Sequence, residues 1–472
     1  MKATSLLSAL LAATTITTTT AQELVLGGPE KVAPRQVILI IGDGMDDQQI
    51  TAARNYLAGA NGQLTLDTLP IRSTSQVLTI TDEVEGKPVY VADSANTASA
   101  LATGEVTSIG RIATSAGSDQ DLPTIVEQAA AAGFRTGIVS TASVTDATPA
   151  SFAAHISMRL CQNPGLMESI TYRDIDLGNC RNDMKANGGA GSISEQLATS
   201  SLDVILGGGS EHFEPSVEGG TKTVLESARE AGFKTIASRE ELLSHKGKGK
   251  LLGLFSPDTM PVRMRGENGR ASEEPETSFL HNFHHYLGEA TLPEPMDCEA
   301  NPEFEGMPSL KEMTDVALKQ LSRKNDKGFF LMIESASIDK QSHERKPCGS
   351  IGELEQLDEA LASALAYAKK YPATLVLVTA DHAQAAQIVP EESFFSRFPV
   401  PIYTPGKLSR IRTPEGSIMA INYATSNFMM EEHTGASVPL LANLEGQDRV
   451  PAFVQQADIY RIMADYLRLA RN

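Results

Sequence analysis

The chain of 472 residues is long enough for two or three average domains, or for one large α/β domain with insertions. Its net charge of −19 leaves no basic surplus to neutralise nucleic-acid phosphates, which excludes nucleic acid as the main partner. The same charge repels an anionic substrate at long range, so any phosphate site needs cations close by.

Residues 1–21 read as a secretory signal peptide. Lys2 gives a positive start, 6–16 is a short apolar stretch, and Thr19 and Ala21 are small residues before a cleavage point at Gln22. The apolar stretch is too short for a membrane span, so the expectation is a soluble periplasmic or secreted protein with no membrane partner. The mature chain, 22–472, reads as one domain with irregular insertions near 263–302 and 391–413. Residues 36–41 are a β-branched apolar run, as in a strand buried on both faces, closed by Gly42-Asp43-Gly44. Residues 47–59 predict a helix, and 78–80 and 89–92 short strands leading to Ser94. The Ala-rich segment that follows has good helix propensity. Ser94 would then lie at or near a helix N-terminus, where free N–H groups and the dipole favour an anion. The plain alternative is that Asp93 or Ser94 caps the helix.

Helices are predicted at 122–132, 194–198, 223–231, 310–322, 352–370 and 458–469. Strands are predicted at 136–140, 204–206, 233–236, 251–255, 328–333 and 374–378. Pro149 is expected to begin a helix carrying His155 and Arg159. Residues 263–302 and 394–411 read as irregular. The alternation of strands and helices argues for α/β with a mostly parallel sheet. Asp43, Asp146, Glu334, Asp381 and His382 fall just past the C-terminal ends of predicted strands, the edge where open α/β sheets bind ligands.

Adjacent Asp381 and His382 offer oxygen and imidazole nitrogen to a divalent ion such as zinc. Asp339 and His343, four apart, share a face on one helical turn. Glu334 and the pair Asp146 and Thr148 supply the hard oxygens that magnesium prefers. Arg159 has the planar fork to clamp a phosphate, with a surface arginine as the plain alternative. His433 lies among small residues in Glu432-His-Thr-Gly435. His281, His284 and His285 have helical metal spacing but sit in an irregular segment, and they read as surface residues, as do His155, His212 and His245. The four cysteines lack CxxC spacing and point to disulfides rather than zinc; they permit three pairings, and sequence alone does not choose.

Taken together, Ile41-Gly-Asp-Gly-Met45, Asp93-Ser-Ala95, Asp146-Ala-Thr-Pro149, Glu334-Ser-Ala-Ser-Ile-Asp-Lys-Gln-Ser-His343, Thr379-Ala-Asp-His-Ala383 and Glu432-His-Thr-Gly435 resemble the bacterial alkaline phosphatases of the periplasmic type, over essentially the whole mature chain. The resemblance implies a three-layer α/β sandwich, with a central mostly parallel sheet flanked by helices on both faces, and a homodimer. It implies two Zn2+ and one Mg2+ per subunit. Ser94 would be the phosphorylated nucleophile. Asp339, His343 and His433 would hold one zinc, and Asp43, Asp381 and His382 the other. Asp43 would bridge to a magnesium that also takes Thr148 and Glu334, with Asp146 orienting its water. Arg159 would clamp phosphate, positioned in part by Asp93, and Lys340 would reach it through water. Substrates would be phosphate monoesters, with inorganic phosphate as product. The pairs Cys161–Cys180 and Cys298–Cys348 are implied as well. Two departures are Gln384, where relatives often carry a histidine, and Asp46, in place of the usual glycine.

Related readings are a sulfatase, a phosphodiesterase, or a non-catalytic metal or phosphate binder on the same scaffold. The Cys/Ser-x-Pro-x-Arg motif of sulfatases is absent around Ser94.

Overall fold

The buried runs pair into a ten-stranded sheet. The computed structural model describes residues 33–284, 287–288, 290–390 and 405–470. The predicted signal peptide, His285 and residues 391–404 of the second insertion lie outside these. In chain order the strands are β1 (Arg35–Gly42), β2 (Ile71–Gln76), β3 (Arg135–Ser143), β4 (Val204–Gly208), β5 (Phe233–Ile236), β6 (Lys250–Leu254), β7 (Gly328–Ser335), β8 (Thr374–Ala380), β9 (Val438–Ala442) and β10 (Phe453–Gln455). Their order across the sheet is β10-β2-β9-β8-β1-β7-β3-β4-β6-β5. Only β9 runs against the rest.

Successive residues of a strand face opposite ways, so the continuous apolar runs feed two cores. Ile38 and Ile40 of β1 enter one core with Leu331 and Val376. Val37, Leu39 and Ile41 enter the other with Phe330 and Leu377. The first core is covered by α1 (Asp47–Leu57), Leu310–Ser322 and Pro347–Lys370. The second is covered by α2 (Ser94–Thr103), Ile125–Ala131, Ile193–Thr199, Val224–Glu230 and Gln456–Leu467. The result is the three-layer α/β sandwich. Disulfides join Cys161 to Cys180 and Cys298 to Cys348. Among the described residues no helix is long and apolar enough to cross a membrane.

Several expectations are corrected. The helix at Pro149 is one turn, Ala147–Ala150, and does not carry His155 or Arg159. The chain instead bridges antiparallel to another loop, Ile112 to Ile156, and the Arg159 N–H donates to the Gly110 carbonyl at 2.7 Å. Residues 263–302 are not wholly irregular: Met264–Gly266 pairs with Cys298–Ala300, and Glu276–Thr277 with Ala290–Thr291. Lys407–Arg412 is a strand rather than loop, paired with Ile418–Tyr423, with Ser409 and Ile411 buried on one face and Leu408 on the other.

Candidate active site

The polar strand ends converge at the C-terminal edge of the sheet. The turn after β1 carries Asp43, and the turn after β8 carries Asp381 and His382. β1 and β8 are direct neighbours, which brings the three ligand-type atoms within 4.8 Å of one another. All three residues are buried. His382 Nε2 lies 3.3 Å from Asp43 Oδ1 and 3.4 Å from Asp381 Oδ2. The other oxygen of Asp381 accepts N–H bonds from Gly44 at 3.0 Å and His382 at 2.9 Å. Asp43 Oδ1 and Asp381 Oδ2 are buried and have no hydrogen-bond partner. Two orphaned carboxylate oxygens facing an imidazole nitrogen make a donor set that a cation satisfies.

Asp93 accepts the Asn96 N–H and caps α2, so Ser94 is the first residue of that helix. The plain alternative therefore holds for Asp93, and it leaves Ser94 free. Ser94 Oγ lies 3.1 Å from His382 Nε2. The small residues that follow are all buried, which lets the helix end approach the strand ends closely.

A second group forms on α3 (Ser337–His343), which continues β7. One helical turn separates Asp339 from His343, and His433 joins them from a later loop. Nε2 of His343 lies 3.2 Å from Asp339 Oδ2, and Nε2 of His433 lies 3.4 Å from Asp339 Oδ1. Each Nδ1 faces a carbonyl, which can only accept: that of Glu431 for His343, and that of Ala92, at 2.7 Å, for His433. Both protons therefore sit on Nδ1, and the two Nε2 lone pairs meet 3.0 Å apart. Only a proton or a cation between them makes that contact favourable. Burial opposes charge on His433, but Asp339 outweighs it and pushes the imidazole up to about 9. Burial alone would raise Asp339, yet His343 and His433 hold it well below the usual carboxylate range.

Glu334, at the end of β7, is buried and accepts from Ser140 Oγ. Burial, reinforced by the charge of Asp146, pushes its carboxyl up to about 8. Asp43 is raised too, first by burial and then by Asp381, Asp339 and Glu334. Thr148 Oγ1 is another buried oxygen without a partner. Asp43 Oδ1 and Thr148 Oγ1 are unsatisfied oxygens, and Glu334 adds a carboxylate beside them, a hard-oxygen set of the kind magnesium prefers.

Arg159 donates to Asp93 at 3.2 Å and to Asp146 at 3.0 Å. Lys340 pairs with the other oxygen of Asp146. Burial alone would raise the Asp146 carboxyl, but Lys340 and Arg159 together hold it well below the usual range. A cavity of about 630 Å3 places Ser94, Arg159, Lys340 and the Asp339–His343–His433 group on shared walls.

The departures also find places. Asp46 caps α1, accepting from Gln48 at 2.9 Å and Gln49 at 3.0 Å. Gln384 is buried, and its amide donates to Asp339 Oδ1 at 2.5 Å. Three of the histidines expected at the surface are not there. His245 is buried and meets Gln320 at 2.7 Å, and His155 is partly buried against Glu127 at 2.9 Å. His212 is buried near Glu211 and Asp258. The Asn163 carbonyl is occupied by Gly165 N–H, so its amide donates to His212 Nδ1. The His212 proton then sits on Nε2, which leaves that trio without an imidazole lone pair for a metal. Arg345 and Glu431, buried and paired at 2.7 Å beside His343, were not found from sequence; no motif or spacing signals them.

The family model described as "Alkaline phosphatase" matches residues 34–459. Streptomycin-6-phosphate phosphatase of Streptomyces griseus is 39% identical, covering 88% of this chain and 86% of that protein. Alkaline phosphatase of Escherichia coli (strain K12) is 38% identical, covering 92% and 86%. The solved alkaline phosphatase from the Antarctic bacterium TAB5 shares the fold, with TM-score 0.65 at 23% identity, covering 93% of this chain and 100% of that one.

Proposed function

The chain belongs to the alkaline phosphatase family and is a phosphoric monoester hydrolase, and from that premise we propose a phosphoserine mechanism on Ser94 assisted by two zinc ions and one magnesium ion. The observation that carries the proposal is the placement of Ser94 Oγ, at a helix N-terminus and 3.1 Å from the Nε2 of a buried metal-type histidine.

Asp43, Asp381 and His382 would hold one zinc beside the Ser94 oxygen, and Asp339, His343 and His433 the other. Asp43, Thr148 and Glu334 would hold magnesium, with Asp146 behind them. When bound, these cations lower the pKa of the serine hydroxyl and neutralise charge on the leaving oxygen. Ser94 Oγ attacks phosphorus, the ester oxygen departs with the alcohol, and water then cleaves the Ser94 phosphoester to release inorganic phosphate. Arg159 spends two of its five N–H groups on Asp93 and Asp146, and the remaining three would clamp the phosphoryl oxygens. Lys340, held by Asp146, adds positive charge on the same side. Local cations also offset the −19 net charge, which acts over a screening length of about 8–10 Å.

The substrates would be phosphate monoesters broadly, and the name of the Streptomyces griseus relative puts sugar-phosphate esters among those to assay. The segment 1–21 and the two disulfides support a periplasmic or secreted protein. A homodimer is supported by the family resemblance alone, and sedimentation equilibrium tests it. For the mechanism, Ser94→Ala is expected to lose at least about a thousandfold in rate while retaining zinc. Hydrolysis at the parent rate would sink the nucleophile assignment. Turnover of the bis-ester or sulfate analogue above that of p-nitrophenyl phosphate would favour a diesterase or sulfatase instead.

A further inference from the structure

Arg345 and Glu431 touch none of the reacting atoms, yet their side chains are only 6% and 0% exposed and they meet at 2.7 Å. Arg345 lies two residues after His343, and Glu431 two residues before His433. The backbone of Glu431, through the peptide groups on either side of its Cα, links them to the chemistry. The Glu431 N–H donates to the His343 carbonyl at 2.9 Å, and the Glu431 carbonyl accepts from His343 Nδ1. The backbone and the ring of His343 are thus both tied to Glu431.

The side chains hold that stretch of backbone in place. Glu431 Oε2 accepts from Arg345 Nε, while Oε1 accepts the N–H groups of Thr425 and Ser426, each at 3.0 Å. The two terminal nitrogens of Arg345 reach the carbonyls of Phe428 at 3.0 Å and Met429 at 3.1 Å. Arg345 itself has φ +58°, a left-handed conformation that non-glycine residues keep only where surrounding contacts hold them. Phe428, Met429 and Met430 expose their side chains, so apolar packing does little to anchor this loop. The guanidinium and the carboxylate anchor it instead.

We infer that Arg345 and Glu431 form a positioning pair for the Asp339–His343–His433 group, fixing the peptide that orients the His343 ring and so setting the zinc affinity of that group. The inference rests on the reading that this group holds zinc. Nδ1 donation to a fixed carbonyl selects the tautomer that presents Nε2, and disturbing such an outer partner costs about 10–100-fold in metal affinity. A lysine at 345 keeps the charge but cannot reach one carboxylate and two carbonyls at once as the fork does.

The test is competitive zinc titration of the full chain against a chromophoric chelator, with the cobalt(II) spectrum and apo-protein thermal unfolding alongside. Parent, His343→Ala, Glu431→Gln and Arg345→Lys are compared. The expected result is that Glu431→Gln weakens one zinc equivalent by about 10–100-fold and leaves the other unchanged. Arg345→Lys should fall between it and the parent. The cobalt spectrum should shift, and kcat should fall by a larger factor than KM changes. Parent-like zinc affinity in both variants, whatever their thermal midpoints, overturns the inference and leaves the pair a structural one. If Glu431→Gln does not fold, Arg345→Lys decides by the same titration. If His343→Ala binds as much zinc as the parent, the reading beneath the inference fails, a result distinct from unchanged affinity in the two pair variants.

Discussion

Gln384 sits directly behind Asp339, a proposed metal ligand, so a change there tests how one side chain tunes a ligand. Its amide donates to Asp339 Oδ1 at 2.5 Å, while its backbone N–H donates to Asp46 at 3.3 Å. Gln384→Ala removes the first of these bonds and also the one that Gln384 Oε1 accepts from the Ala385 N–H at 2.9 Å. The expected outcome is about a tenfold loss of zinc affinity at the Asp339 group, with a thermal midpoint lowered by the buried N–H left unpaired. Chelator competition measures it, and unchanged affinity would mean that Asp339 is oriented by its histidines alone. At this scale the sequence shows residues whose position in an element reveals them. Asp43, Glu334, Asp381 and His382 all follow apolar strands, and Asp339 and His343 share a helical turn. Residues defined by a distant partner stay hidden. His245 depends on Gln320, 75 positions away, His212 on Asn163, 49 away, and Arg345 on Glu431, 86 away.

On the proposed mechanism, the N-terminus of α2 joins helix stability to phosphate binding through Asp93. Its Oδ1 accepts from Asn96 N–H at 3.2 Å and Gly110 N–H at 3.1 Å, while Oδ2 takes Arg159 at 3.2 Å. Two substitutions separate the roles. Asp93→Ala loses both, and should cost about 1–2 kcal/mol of stability. Asp93→Asn keeps an equally good cap through Oδ1 but turns its amide N–H groups toward Arg159, so that charged bond is lost while the cap keeps the midpoint near the parent's. Its inhibition constant for inorganic phosphate should rise about fivefold, equivalent to ~1 kcal/mol. Thermal unfolding and phosphate inhibition check this; equal stability losses with unchanged inhibition would show that Arg159 does not depend on Asp93. Elements themselves are legible to different degrees. Central strands such as β1, β7 and β8 announce themselves because both faces are buried and the run is wholly apolar. β2, with the sequence Ile-Arg-Ser-Thr-Ser-Gln, has no such signal, because it lies toward the sheet margin and half its residues face outward. β9, Val-Pro-Leu-Leu-Ala, is apolar and buried but carries Pro439, which argues against a strand; β10 is a three-residue edge strand; and the Lys407–Arg412 strand is masked by the prolines that precede it. The short turn at Ala147–Ala150 shows the reverse error, in which a proline suited to a helix start is followed by a chain that finds a better partner in Ile112.

For the whole molecule, the converging strand ends gather buried acids that stay compatible with folding only by binding protons or cations. In the metal-free protein Glu334 is pushed up to about 8 from an ordinary 4.5, and His433 up to about 9 from 6.5. Both groups bind a proton in the folded state at a pH where the unfolded chain has released it. The folded state therefore loses stability as pH rises through that interval, by about 1.4 kcal/mol per pH unit for each proton retained. Groups shifted the other way do not cancel this above neutrality. His382, pushed down mainly by burial, is neutral in both states there, and Asp339 is ionised in both. Asp381 and Asp46, each raised only to about 6, complete their change at lower pH. In chelator, unfolding free energy should fall by about 1.4–2.8 kcal/mol per unit between pH 7 and 8. With zinc and magnesium supplied, the ions take the place of those protons and the slope should largely vanish. Urea unfolding at both pH values, with and without chelator, measures the difference. A slope that is the same in both conditions would mean that the converging carboxylates and imidazoles are not where the metals bind.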